Sequence, residues 1–465
     1  PHDDRPLPLW SKLCFAVGGA PYQITTNVIG FFLNIFLLEV AEIDPFYISI
    51  ILFVGKAWDA ITDPACGYFV NKTETRFGKM KPWIILTAPF ACVSYFFLWY
   101  VPDLSETGKF GYYFAMYCIF QGLLSGLHVP YTSLTMYISN DQKERDSATS
   151  FRMVFEACGV LTGVIVQGKI IEKYRIAGQC ADTSATASPE SLRLQEESYR
   201  IGSYIVLAIY MVCACTVFLG VKEKEGVVDS TGNTDGYFKS LKIVFTYKPY
   251  LQAAAIFLFM SLAVAIVQGN IALYCTHSLK MGNKFTNFVI VLLVVSITAM
   301  PLWQLLLLRF GKKPVYAAGI LIFIPILIAQ LYLPADNEYL YYVIMGFAGL
   351  SISVSLLLPW SVLPDVLDLF MLETHTRKDA MFYSFYVFFN KLASGIGLAL
   401  SQVALSVGGY VTGACTQPES VDLTLRMLVV PGPVVCLLLA LIFLWCYPIN
   451  EDKRKAIKQE VLDTM

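Results

Sequence analysis

Arg76-Phe-Gly-Lys-Met-Lys-Pro82 returns as Arg309-Phe-Gly-Lys-Lys-Pro314, so the same short basic loop occurs twice at an offset of 233 residues. Two more echoes keep nearly that spacing: Val129-Pro-Tyr-Thr132 with Leu358-Pro-Trp-Ser361 at 229, and Ser150-Phe151 with Ser384-Phe385 at 234. One such match is weak, but three near-equal offsets mark an internal duplication. The joint falls in the polar, Gly- and Asp-containing segment 222–248. We therefore expect an N-terminal half over 1–221, a linker over 222–248, a C-terminal half over 249–447 and a tail over 448–465.

What each copy consists of follows from composition. Of the 465 residues, 56% are hydrophobic and only 15% charged, which excludes an ordinary soluble protein. Apolar stretches of spanning length, about 20 residues each, fall near 11–38, 46–70, 83–102, 110–138, 148–172, 201–221, 250–276, 286–308, 315–333, 339–364, 381–408 and 424–447. These are twelve expected helices, six per copy. The first is too long for a cleaved signal peptide. With the N-terminus assigned to the cytoplasm, 22 of the 34 Lys and Arg residues fall inside, so the positive-inside rule predicts a multi-pass protein with both termini cytoplasmic. A formal net charge of −1 gives no case for nucleic-acid binding.

Inside the second span, Lys56-Ala-Trp-Asp-Ala-Ile-Thr-Asp-Pro64 breaks the apolar pattern. Lys56, Asp59 and Asp63 are spaced by three and then four residues, which stacks them on one helical face with Thr62 beside them. Charge in hydrocarbon is costly and marks a functional site by default. Pro64 cannot donate to the carbonyl of Ala60, so a kink with a freed backbone oxygen is expected. Two carboxylates, the Thr62 hydroxyl and a carbonyl are all oxygen donors, a set suited to a hard cation. The plain alternative is a structural ion pair, with Lys56 the counter-ion of Asp59. Elsewhere, Lys391 lies deep in the eleventh span, where it either pairs with the carboxylates or holds a phosphate as a point charge. Arg152 and Glu156 stand one helical turn apart in the fifth span. Either they satisfy each other, or Arg152 takes the phosphate of a zwitterionic head group with Glu156 nearer its choline. His128, beside a proline, reads as a packing residue. The Phe-rich faces, including Phe382, Phe385, Phe388 and Phe389, permit a lining for an acyl chain.

Two parallel six-helix halves resemble the major facilitator architecture, an all-α membrane fold. The Trp58-Asp-Ala-x-x-Asp-Pro64 motif, the basic loop ending at Trp83 and the Pro359-Trp360 to Pro364-Asp365 run resemble its glycoside–pentoside–hexuronide:cation symporter branch. Within the branch, Leu357-Leu-Pro-Trp-Ser-Val-Leu-Pro-Asp365, Arg145-Asp-Ser-Ala-Thr149, Ser384-Phe-Tyr-Val-Phe-Phe389 and Gln417-Pro-Glu419 are similar to its sodium-dependent lysolipid symporters. The similarity runs from the first span to the twelfth and fades in 176–200 and 222–240. It implies a symporter of lysophosphatidylcholine-type lysolipids that co-transports sodium by alternating access, monomeric and in the plasma membrane. It also implies that Asp59, Asp63 and Thr62 hold the sodium, while Lys391, Arg152, Glu156 and Lys56 serve the lysophospholipid. His128 stands where the sugar carriers have an aspartate, which argues against a sugar substrate, and Gln268 replaces an expected glutamate. A sphingosine-1-phosphate exporter of the same family is the alternative, ahead of a cation-coupled sugar symporter. A membrane enzyme would need a nucleophile with a base or a metal cluster, and a receptor would not need duplicated halves. Of the 12 cysteines, Cys180 and Cys415 fall in external loops, where an oxidising compartment permits a disulfide between them.

Overall fold

A chain crossing hydrocarbon must satisfy every backbone N–H and C=O within itself, so apolar stretches of this length fold as helices. The computed structural model describes residues 6–135, 137–139, 142–177, 188–223, 237–335, 337–375 and 379–464, and among them it is helical, with no strand. The helices are α1 (Leu9–Val17), α2 (Ala20–Val28), α3 (Pro45–Asn71), α4 (Lys81–Leu98), α5 (Glu106–Leu134), α6 (Gln142–Ala177) and α7 (Pro189–Gly220) in the first part of the chain. They continue with α8 (Tyr237–Thr246), α9 (Lys248–Leu273), α10 (Phe285–Phe310), α11 (Lys312–Leu331), α12 (Glu338–Thr374), α13 (Asp379–Val407), α14 (Glu419–Val429), α15 (Pro431–Cys446) and α16 (Glu451–Thr464).

Each of the twelve expected spans coincides with helix, and among the described residues 10 stretches are long and apolar enough to cross a membrane. The first span departs from a plain helix. It is divided between α1 and α2 and then passes through π turns at Ile29–Leu33 and Phe36–Val40. The fourth, α5, has the length but carries Gly, Tyr and polar residues along it. The chain folds as two compact units. One comprises Pro1–Gly232 with Tyr410–Gln417, the other Asn233–Gly409 with Pro418–Met465. The short helix α8 occupies part of the segment read as a linker.

Helices in lipid gain little from hydrophobic burial against one another, so close packing and hydrogen bonds between them hold each unit together. In the first unit, Phe36 stands edge-on between Trp99 and Tyr199, whose rings stack at 5.3 Å. Buried tyrosines donate to main-chain carbonyls of other helices: Tyr131 to Phe15 at 2.7 Å in the first unit, Tyr250 to Phe382 at 2.8 Å and Tyr386 to Pro359 at 2.9 Å in the second. Each phenol thus buries a large ring and still satisfies its polar end.

The repeated basic loops are latches. Gly78 and Gly311 both adopt left-handed backbone, with φ of 106° and 87°, a region that an L side chain rarely enters. Against Gly78 lies the Glu223 carboxylate, whose Oε1 accepts the N–H of Lys79 at 2.8 Å and of Met80 at 3.2 Å, just before α4 begins. Against Gly311, just before α11, lies the side chain of Glu451. An acid at a helix N-terminus meets unsatisfied N–H groups and the positive end of the helix dipole. The Arg454 guanidinium, donating to Glu451 Oε2 at 3.0 Å, holds the Glu451 carboxyl below the usual carboxylate range. The far ends of the first and seventh spans match as well, since each closes with a π turn followed by a left-handed residue, Glu42 or Lys280.

Replacing Glu223 by Gln keeps the shape but gives up charge-assisted acceptance, and we expect it to cost about 1.5–3 kcal/mol, seen as a lower apparent melting midpoint in detergent. An unchanged midpoint would remove the latch.

Candidate functional site

The candidate site is built on α3. Asp44 starts this helix by accepting the N–H of Phe46 at 2.8 Å, and the helix continues through Pro64 to Asn71, so the expected irregularity at Pro64 does not interrupt the run. Asp59 is buried at 3% exposure, and Asp63 is half-buried one turn further along the same face.

The nearest hydroxyls decide what Asp59 is. Ser125 of α5 donates to Asp59 Oδ1 at 2.9 Å, and its Oγ lies 3.0 Å from Thr62 Oγ1. Thr62 in turn donates to the Asp59 carbonyl at 3.1 Å. The Ser125 proton goes to the Asp59 carboxylate and the single Thr62 proton to the Asp59 carbonyl, with the two hydroxyl oxygens in contact. The result is a compact group of oxygens around one buried charge, of the hard type that alkali and alkaline-earth cations prefer. What brings α5 this close is the absence of side chains: a Cβ at Gly55 would fall on the Tyr117 ring, and one at Gly122 would meet Trp58 Nε1 at 3.3 Å.

Sequence reasoning did not include Ser125. Lys56 is half-buried, and among the described residues it forms no ion pair. Arg152 and Glu156 do pair, Nε to Oε1 at 3.3 Å, with side chains 18% and 20% exposed. They pack against Gly19, at the break between α1 and α2. His128 stacks on Tyr22 with centroids 3.6 Å apart, the packing role expected of it.

Lys391 belongs to the other unit, where it is buried in α13 at 8% exposure. Along the same helix, Phe385 and Phe389 both meet Phe245 of α8, at 6.1 and 6.0 Å between centroids. Phe382 is fully buried against Tyr250 and Phe370, and is a packing residue. Gln268 is half-buried in α9. Cys180 lies outside the described residues. Cys415 falls in Tyr410–Gln417, the segment that clusters with the first unit although it follows α13 in sequence.

Removing the Ser125 hydroxyl takes away one charge-assisted hydrogen bond from a buried carboxylate. Ser125→Ala should cost about 1.5–3 kcal/mol and lower the apparent melting midpoint, whereas Ser125→Thr should retain most of it. A midpoint for Ser125→Ala equal to wild type would show that Asp59 does not depend on this donor.

Comparison with known proteins fits this architecture. A family described as "MFS/sugar transport protein" matches residues 14–451. The chain is 45% identical to "Sodium-dependent lysophosphatidylcholine symporter 1-B" of Danio rerio over 97% of this chain and 88% of that one. It is 41% identical to "Sphingosine-1-phosphate transporter MFSD2B" of Xenopus tropicalis, over 97% of this chain and 90% of that one. In fold it is similar to a D-xylose-proton symporter, with a TM-score of 0.67 at 15% identity over 95% of this chain and 98% of the other. With the match spanning nearly its whole length, the chain belongs to the MFS/sugar transport protein family and is a membrane transporter, not an enzyme.

Proposed function

We propose that the protein is a sodium-coupled symporter of lysophosphatidylcholine-type lysolipids, working by alternating access in the plasma membrane with both termini cytoplasmic. The observation that carries this reading is the buried Asp59 with its hydroxyl oxygens, in a chain 45% identical to a relative named as a sodium-dependent symporter. Asp59, Asp63 and Thr62 hold the sodium, which travels as co-substrate. Such a site suits sodium because every donor is an oxygen and one charge is already desolvated.

The head group carries a phosphate and a quaternary ammonium. Arg152 and Glu156 already pair with each other, and a zwitterion answers both charges at once. Lys391, buried but cationic, is a further partner for phosphate, and the half-buried Lys56 a second. The Phe385, Phe388 and Phe389 group lines the way for an acyl chain. A disulfide joins Cys180 to Cys415 and fixes the Tyr410–Gln417 segment. The sphingosine-1-phosphate reading, which the second relative favours, shares the phosphate and amphipathic tail but not uptake driven by sodium.

Uptake of labelled lysophosphatidylcholine into cells, with sodium replaced by an impermeant organic cation, tests the function directly. We expect uptake to fall to background without sodium. In Asp63→Asn, and likewise in Asp59→Asn, sodium-dependent uptake should be lost while surface expression remains. Normal uptake with unchanged sodium dependence in both variants would refute the assigned cation site.

Lys391 links the two substrates. By linkage, lipid must tighten sodium binding by the factor with which sodium tightens lipid binding. Calorimetric titration of Lys391→Ala with sodium should show sodium binding that no longer strengthens when lysophosphatidylcholine is added. Wild-type coupling in this variant would leave the lysine a structural counter-ion.

A further inference from the structure

In the second unit, α11, α12, the end of α15 and the start of α16 converge on a cleft lined by residues that include Lys312, Tyr316, Asp365, Tyr447, Glu451 and Arg454. Its charges are already matched. Lys312 Nζ donates to Asp365 Oδ2 at 2.7 Å and to the Ser361 carbonyl at 2.6 Å. Lys313 Nζ donates to the carbonyls of Tyr447 and Trp445 at 2.8 and 3.0 Å, and Arg454 is bonded to Glu451.

Two hydroxyls in the same cleft are not matched. Tyr316 and Tyr447 are 2% and 5% exposed, and neither phenol oxygen has a hydrogen-bond partner among the described residues. Buried phenols normally find a partner, and buried polar atoms that lack one in the protein are commonly served by an internal water. Tyr447 and Asp365 line the same cleft.

The cleft has room for about one water molecule. A phosphate is too large for it and would face Asp365 and Glu451. A bare cation would face Lys312, Lys313 and Arg454. We propose that the cleft is a hydration site holding one ordered water, to which the Tyr316 and Tyr447 hydroxyls donate and which itself donates to the Asp365 carboxylate. One molecule then ties α11 and α12 to the segment that leads into α16. The docking of the terminal helix, through Glu451 at Gly311, and the Lys312–Asp365 ion pair become parts of one polar network.

A double-mutant cycle on the full-length protein in detergent tests it, because two groups that share one water cannot lose it twice. Tyr316→Phe and Tyr447→Phe should each melt a few degrees below wild type, and the double variant no lower than the less stable of the two. Single variants that melt at or above wild type would mean that both phenols are orphaned, and a double loss equal to the sum would mean independent partners. Either result overturns the shared water. A density map resolving ordered water offers a second reading: a peak within hydrogen-bond distance of both hydroxyls is expected, and an empty cleft rejects the proposal.

Discussion

A carboxylate inside an apolar helix costs several kcal/mol unless something answers its charge, and the closeness of α3 to α5 supplies part of that answer. Gly55 makes room for the Tyr117 ring and Gly122 for Trp58, and at this crossing Ser125 comes within hydrogen-bond distance of Asp59. Helix packing and site chemistry therefore rest on the same contact. A side chain at Gly55 would meet the Tyr117 ring first and so force α3 and α5 to adjust. Thr62 and Ser125 each have one proton, and both protons are turned to Asp59, one to its carboxylate and one to its main-chain carbonyl.

The duplication repeats the scaffold and leaves the charges unrepeated. Both copies have a basic loop with a left-handed glycine and an acidic latch, and both end the first helix of the copy in a π turn and a left-handed residue. The carboxylates of α3 have no such echo, for at the offset of the basic loops Asp59 and Asp63 correspond to Leu292 and Ser296 in α10. Lys391 likewise corresponds to Ala157 at the offset of the Ser-Phe pair. The first copy thus supplies the acids of α3 and the second the buried lysine. What the copies share builds the helices, and what they do not share carries the chemistry proposed for the protein.

That contrast explains which features were legible in the sequence. Apolar runs are local, so all twelve expected spans met helix, and the i, i+4 spacing of Arg152 and Glu156 offered their pairing as one of two alternatives, the ion pair being present in the structure. The acids of α3 stood out for the same local reason. Ser125 did not, because a serine in an apolar helix is ordinary, and its meaning comes from a contact 66 residues away. The small-residue run Gly122, Ser125, Gly126 was the available signal, since such residues mark close helix approach. Glu223 was hidden more deeply: its partners at Lys79 and Met80 lie 144 and 143 residues back, and an acid in the charged run Lys222-Glu-Lys-Glu225 after a span resembles any solvated loop residue. For Lys56, sharing a helical face with Asp59 at i, i+3 permits an ion pair and does not impose one.

If the Arg152–Glu156 pair meets the head group, as proposed, it bears on what kind of molecule this unit can accept. A neutral polyol entering beside it would have to separate two half-buried charges and return hydrogen bonds with a charge on one partner only, in place of an ion pair with a charge on both. A single anion would satisfy Arg152 and strand Glu156, and a stranded buried charge is the expensive outcome. A zwitterion avoids both losses, because phosphate replaces carboxylate at Arg152 while a cationic group replaces guanidinium at Glu156, leaving as many opposite-charge contacts as before. With charge pairing conserved on both sides of the exchange, selectivity falls to the acyl chain and its fit among aromatic side chains, and the driving force for accumulation must come from elsewhere. In the proposed mechanism it comes from the cation at Asp59 and Asp63, on a different helix from the pair that exchanges. Head-group binding and ion binding then employ separate charges, a precondition for coupling two substrates without making them compete for one site.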